Sequence, residues 1–437
     1  MTPAMVTLLL FAVLILVLIT GLPISFVLGG VATVFVLLLW GSKALMIISA
    51  SAYGMLDNFV LVAAPLFIFM GMVLERSGIA DSLYTMMYRW IGGLRGGLAV
   101  GTVIICTVFA AMTGISGAAT VTMGVIALPS MLRHNYDKEI AVGCISAGGA
   151  LGVLIPPSTL MILYGIFAQV SIGQLFAAGI FPGLVLSSLF ITYIIIRCRI
   201  QPHLGPSVPL NEKATWEEKF VSLKGVILPI FLIILVLGTI FMGVTTPTEA
   251  AAMGALGSLV CAAIHRKLNW GTIKESSYQT LRVACMLVWI IIGGVCFTRV
   301  YTAIGAIDFM RETITALPVS PYLILVGMQF LLIFLGMLMD PGGIIMITTP
   351  VFVPIISTMG FDPVWFGALF IVNMEMGYLT PPFGFNLFYM KAIVPKSISM
   401  GDIYRSITPF VCLQLIGLVL LIVFPQIALW APSMLFR

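Results

Sequence analysis

The chain of 437 residues is 61% hydrophobic and only 8% charged, where soluble domains carry roughly 25% charged residues. That composition excludes an ordinary soluble enzyme or binding module and makes the chain an all-α polytopic membrane protein, with the lipid bilayer as its solvent. The net charge of +5 is not gathered into a basic, aromatic-interleaved patch, so no nucleic acid partner is expected.

In chain order, the first apolar run, Ala4 to Ile19, lacks a basic leader and passes through Gly21, Leu22 and Pro23 into a second span. A retained helix is expected, not a cleaved signal. The stretch SKALMIISASAYGMLDN, 42 to 58, and a later one, GAIDFMRETITALP, 305 to 318, read as amphipathic segments, either mobile arms or interfacial helices. Next come two short runs, VGTVIICTVFAAM and TVTMGVIALPSML, parted by TGISGAA. They are short for comfortable spans and predict a re-entrant hairpin over about 97–131. The following run, about 140–168, contains GVLIPPST, in which Pro156 and Pro157 must interrupt any helix. In hydrocarbon the carbonyls so freed need another partner.

A polar stretch, 201–224, separates this half from a second that reads the same way, with a hairpin over about 321–358 and a broken helix over about 364–394. GVLIPP at 152–157 recurs as GYLTPP at 377–382, a shift of 225 that also pairs Gly117 with Gly342 and Pro129 with Pro354. A shift of 227 lays GIAD, 78–81, on GAID, 305–308. Two repeats, 1–200 and 225–437, follow. Each holds five spanning helices, a re-entrant hairpin and a Pro-Pro-broken helix, and the odd number of crossings makes the repeats inverted. Charge agrees: with 197–224 placed in the cytoplasm, all but Lys43, Arg299, Arg311 and Arg437 of the 21 basic residues fall on that side, and both termini are expected outside.

Paired hairpins and broken helices bring loose backbone oxygens to the bilayer midplane, where they suit a hard cation such as Na+, while helix N-termini suit an anionic substrate. The candidate cation ligands are Thr113, Gly114, Gly152, Ile155 and Pro157 in the first half, and Gly336, Met337, Asp340, Gly377, Thr380 and Pro382 in the second. Ser116, Ser158, Gly342 and Asn386 are candidate substrate contacts. Asp340 reads either as a ligand or proton-coupling group or as the cap of the next helix. Glu375 reads as a structural hydrogen-bonding group between the halves, and Glu249 as part of a helix start. The seven cysteines show no CxxC spacing and read as small hydrophobes. His134, His203 and His265 fall in polar loops, so GISG at 114–117, which matches an intramembrane serine protease motif, has no base for Ser116. With no phosphate-binding glycine loop either, an enzyme is not expected.

The ordered set FAAMTGISGAAT, GxLxPPS, GVTTPTEAAAMGA, GMLMDPGG with ITTPVFVPI, and MEMGYLTPPFGFNLF resembles the large membrane subunit of tripartite ATP-independent periplasmic (TRAP) transporters, the DctM-like family of the ion transporter superfamily. The resemblance covers essentially the whole chain. It implies an elevator with scaffold and transport domains in the bacterial inner membrane, Na+-driven symport, and Na+ at the hairpin tips and helix breaks. On this sequence those positions fall on Thr113, Gly152, Ile155 and Pro157, with the second site on Gly377, Thr380 and Pro382. The tip departs from the family in one respect, since Gly-Ile-Ser follows Thr113 where a more serine-rich tip is common. The resemblance further implies two partners, a separate small four-helix membrane subunit and a soluble periplasmic binding protein, and a carboxylate or sialic acid as cargo. The alternative is a stand-alone H+- or Na+-coupled dicarboxylate carrier of the same superfamily.

Overall fold

The computed structural model describes residues 2–209, 214–382 and 384–436; Arg437 and linker residues 210–213 lie outside the described residues. Among the described residues all regular structure is helical. By length and composition, seven of these helices can cross a bilayer, including Ile172–Ile200, Trp216–Phe241 and Trp270–Ala303. Another of the seven, Pro341–Thr358, is an arm of the second hairpin, and the first two helices, Pro3–Ile19 and Ile24–Trp40, have 17 residues each. Leu8, Leu16, Leu38, Ile234 and Phe330 are exposed on the outer surface, as lipid-facing side chains must be.

Two helix pairs build one side of the molecule. Pro247–Ile264 lies along Ala63–Arg76, and Ile24–Trp40 along Trp270–Ala303. Small residues let the second pair approach: a Cβ added at Gly293 would stand 2.4 Å from the Ser25 carbonyl oxygen. The short helices Ile79–Ile91 and Ala306–Thr315 are each entered through a left-handed glycine, Gly78 and Gly305. The 42–58 stretch is a turn of 3-10 helix, Ser42–Leu45, followed by Met46–Leu56.

Three features depart from the sequence reading. Trp216–Phe241 begins inside the polar stretch, because Thr215 and Glu218 form a capping box there. A short helix, Gln426–Leu435, follows the last long one, Met400–Val423, and packs on Ile172–Ile200. Helix starts also rest on aspartates that the sequence reading passed over: Asp137 accepts from the amides of Glu139 and Ile140, and Asp362 from those of Val364 and Trp365. These two caps open the two helices that run toward the Pro-Pro breaks.

Candidate functional site

The first hairpin consists of Gly97–Thr113 and Ser116–Arg133, with Gly114 and Ile115 as its tip. Gly114 takes a left-handed φ of 62° and ends the first arm. It faces the first break, where Lys138–Ala150 gives way to a 3-10 turn, Leu151–Val153, and the chain resumes as Thr159–Ala168. A Cβ at Gly114 would lie 2.3 Å from the carbonyl oxygen of Pro157, and one at Gly152 would lie 3.0 Å from that of Ile115. Glycine is therefore what allows the tip and the break to touch. Thr159 Oγ1 donates to the Gly114 carbonyl at 3.2 Å, and Ser158 Oγ donates to that of Val153 while capping the amide of Met161. The Pro156–Pro157 bond is cis, as is Pro381–Pro382.

Every first-half candidate is buried: Thr113, Gly114, Gly152, Ile155, Pro157, Ser116 and Ser158. Thr113 Oγ1 donates back to Phe109 O at 3.1 Å. Its backbone packs on Gly71, where an added Cβ would meet Thr113 Cα at 2.9 Å. Nothing in the chain pattern marked Gly71 apart from its neighbours.

In the second half, Pro321–Gly336 and Pro341–Thr358 form the hairpin, and Pro363–Leu379 and Phe385–Ile393 flank the break. Gly336 meets Gly377, whose added Cβ would stand 3.0 Å from the Gly336 carbonyl oxygen. Met337, Asp340 and Thr380 are half-buried and Pro382 is exposed. Asp340 caps its helix, accepting from the Gly342 amide at 2.9 Å, and Thr380 Oγ1 donates to Met376 O at 2.7 Å. The cap reading of Asp340 thus has a bond to rest on.

The halves cross over at this centre. The helix after each break packs on the second arm of the other half's hairpin: Phe385–Ile393 on Ser116–Arg133, and Thr159–Ala168 on Pro341–Thr358. Ser116 Oγ donates to Asn386 Oδ1 at 2.5 Å, and Asn386 Nδ2 to Ser146 O at 3.3 Å. Asn386 is an amide and not a base, so Ser116 has no activating partner there. Gly342, the fourth candidate substrate contact, sits 3.8 Å from Leu163 as judged from its added Cβ. The buried acid Glu375, expected to bond between the halves, instead accepts from Gln414 Nε2 of Met400–Val423 within the second half at 2.9 Å, leaving Glu375 Oε2 and Gln414 Oε1 without partners. Asn373, on the opposite side of the helix, donates to Gln329 of Pro321–Gly336, the first arm of the second hairpin. Gln414 and Gln329 were missed because a partner 39 or 44 residues away leaves no periodic trace.

Among the described residues no three His, Cys, Asp or Glu side chains gather as a metal site. A cation at these contacts would be held by carbonyl and hydroxyl oxygens, with the Asp340 carboxylate as the one charged candidate in the second half, a donor set that suits a hard monovalent ion. The carbonyls of Ile115, Pro157 and Gly336, each pressed against a glycine, fit that requirement.

An all-helical polytopic chain with two hairpins set against two broken helices has the architecture of a membrane transport protein. The family described as "Tripartite ATP-independent periplasmic transporter, DctM component" matches residues 11–427, and the chain belongs to it. It is 31% identical over 407 residues to the C4-dicarboxylate TRAP transporter large permease protein DctM of Pseudomonas aeruginosa, covering 93% of this chain and 94% of that one. It is 29% identical over 417 residues to the sialic acid TRAP transporter large permease protein SiaM of Vibrio cholerae, covering 95% of each. The fold matches the crystal structure of the Alcanivorax borkumensis YdaH transporter with a TM-score of 0.65 at 17% identity, over 98% of this chain and 99% of that one.

Proposed function

We propose that the chain is the translocating subunit of a Na+-coupled importer of an organic acid, working in the inner membrane with a small four-helix subunit and a periplasmic binding protein. The observation that carries this reading is the pair of glycine contacts: Gly114 against the Pro157 carbonyl, and Gly377 against the Gly336 carbonyl. In each half a hairpin tip and a helix break present backbone oxygen at a place no side chain can fill. Na+ would bridge tip and break there, so that a filled site holds the hairpin closed over the cargo.

Two inverted repeats, 1–200 and 225–437, support this reading through their reciprocity. Residues paired by the shift of 225 play like parts: Asp137 and Asp362 cap, Pro157 and Pro382 break, and each post-break helix docks on the opposite hairpin. Hairpins and breaks together would form a transport domain moving against a scaffold of the helix pairs around Ala63–Arg76 and Trp270–Ala303, with both termini periplasmic. The relatives named above carry C4-dicarboxylates and sialic acid, and their shared group is a carboxylate.

Reconstitution with both partners in proteoliposomes tests the proposal. Uptake of succinate or N-acetylneuraminate should require an inward Na+ gradient. Uptake indifferent to Na+ would refute coupling, and uptake by this chain alone would favour the stand-alone carrier.

A further inference from the structure

A cavity of about 500 Å³ opens where Trp270–Ala303 meets Thr159–Ala168 and Pro341–Thr358, a size that accommodates a small organic acid. Its wall includes Thr298, Arg299, Thr302, Thr349 and Gln169. The hydroxyls of Thr298 and Thr349 are buried without a hydrogen-bond partner. Arg299 forms no ion pair among the described residues, whereas Arg311, its neighbour in charge on the same side, is bound to Asp308 at 3.0 Å. Arg299 is exposed yet lines the cavity, which places its unpaired charge beside the cavity and not only toward solvent.

Depth sharpens the point. Between Arg282 and Arg299 runs VACMLVWIIIGGVCFT, which as helix spans roughly 24 Å at about 1.5 Å per residue. Arg299 therefore sits at the outer edge of the hydrocarbon, on the side opposite most of the basic residues. The cavity lies between the proposed scaffold and the proposed transport elements, at the mouth a cargo delivered from outside reaches first. The candidate substrate contacts Ser116, Ser158, Gly342 and Asn386 are all buried, so an entering acid cannot meet them without first passing such a mouth.

We propose that this cavity is an outer loading site for the carboxylate of the cargo, with Arg299 as its counter-charge and the threonine hydroxyls as further donors. The inference rests on the reading of the chain as an acid importer. Arginine suits the task because its planar fork of N–H groups pairs with both oxygens of a carboxylate.

The test uses the complete transporter in phosphatidylcholine vesicles with succinate and N-acetylneuraminate as probes. Arg299→Gln should raise the KM of uptake at least tenfold and change the maximal rate less than threefold, with Arg299→Lys between the two and the Na+ half-saturation unmoved. In parallel, either acid should protect Arg299 of the wild-type protein from phenylglyoxal, read by peptide mass spectrometry. Unchanged KM in Arg299→Gln overturns the loading site while leaving the importer reading intact. If the wild type imports neither acid, the importer reading fails and protection alone decides: modification of Arg299 indifferent to both acids overturns the site. A defect that appears only in vesicles containing anionic lipid assigns Arg299 to a lipid phosphate and also overturns it.

Discussion

The two breaks share a sequence pattern and differ in their surroundings. Around Pro157 every candidate is buried, the oxygen donors are backbone carbonyls and hydroxyls, and the tip glycine is locked in a left-handed conformation against the break. Around Pro382 the two contact glycines, Gly336 and Gly377, are buried while Met337, Asp340 and Thr380 are half-buried and Pro382 is exposed, and a carboxylate, Asp340, stands at the tip. A backbone-built site depends on fit, and a site with a side-chain carboxylate depends on charge. Substitutions should therefore fail in different ways in the two halves.

The largest effect is expected at Gly114. Gly114→Ala places a Cβ 2.3 Å from the Pro157 oxygen at a φ of 62°, adding a left-handed penalty of about 1–2 kcal/mol to the clash. Na+-dependent uptake should fall by roughly two orders of magnitude, since about 1.4 kcal/mol is tenfold. Gly377→Ala, with its nearest atoms at 3.0 Å, should lose less. Gly238→Ala, with nothing within 4 Å, should leave uptake unchanged and gain up to about 1 kcal/mol of helix stability. Equal losses at Gly114 and Gly377 would erase the distinction between the two breaks.

Next in size is Gln414→Leu, which strips the buried Glu375 of its partner. Leaving a buried polar group unsatisfied costs about 1–3 kcal/mol, so thermal stability in detergent should drop clearly. Glu375→Gln with Gln414 intact keeps an amide-to-amide bond within reach and should retain most of the stability. A stable Gln414→Leu protein would mean that this contact does not hold the break helix to Met400–Val423.

A smaller loss is expected from Ser116→Ala, which removes the 2.5 Å bond to Asn386 and should cost about 1 kcal/mol. If Ser116 only ties the crossed halves together, uptake normalised to folded protein should stay near wild type. A tenfold higher KM for the acid would instead return Ser116 to the cargo path.

How much of this was legible follows from which residues break rules. Helix ends at Thr113, Gly336 and Leu379 could be read because glycine and proline are punished inside helices, and the apolar composition dictated an all-helical membrane chain before any motif was weighed. The crossing of the halves was not legible: Ser116 meets Asn386 from the other half, and Glu375 with Gln414 and Thr113 with Gly71, each pair inside one half, are likewise contacts between distant segments, where side-chain type alone does not name a partner. Trp216 was absorbed into the linker because charged residues surround it, although those same acids, Glu217 and Glu218, are what a helix start favours. Arg299 was visible only as an exception to the charge bias, and acquired meaning once the fold put a cavity beside it.

The smallest effect on stability, and the most discriminating one on coupling, belongs to Asp340→Asn. Asparagine caps a helix about as well as aspartate, so the bond to the Gly342 amide survives and folding should change by only a few tenths of a kcal/mol. What disappears is the charge. Were Asp340 only a cap, the Na+ dependence of uptake would match wild type, and Asp340→Ala would cost about 1 kcal/mol of stability with coupling intact. As a cation ligand in the exposed half of the pair, it should instead show a Na+ half-saturation raised several-fold in Asp340→Asn at unchanged stability. The first half offers no equivalent experiment, because its candidate ligands are backbone oxygens and uncharged hydroxyls. If the two proposed cation sites exist, a charged tip in one half and an uncharged one in the other predict that they can be emptied independently, one by neutralising a side chain and the other only by spoiling the fit.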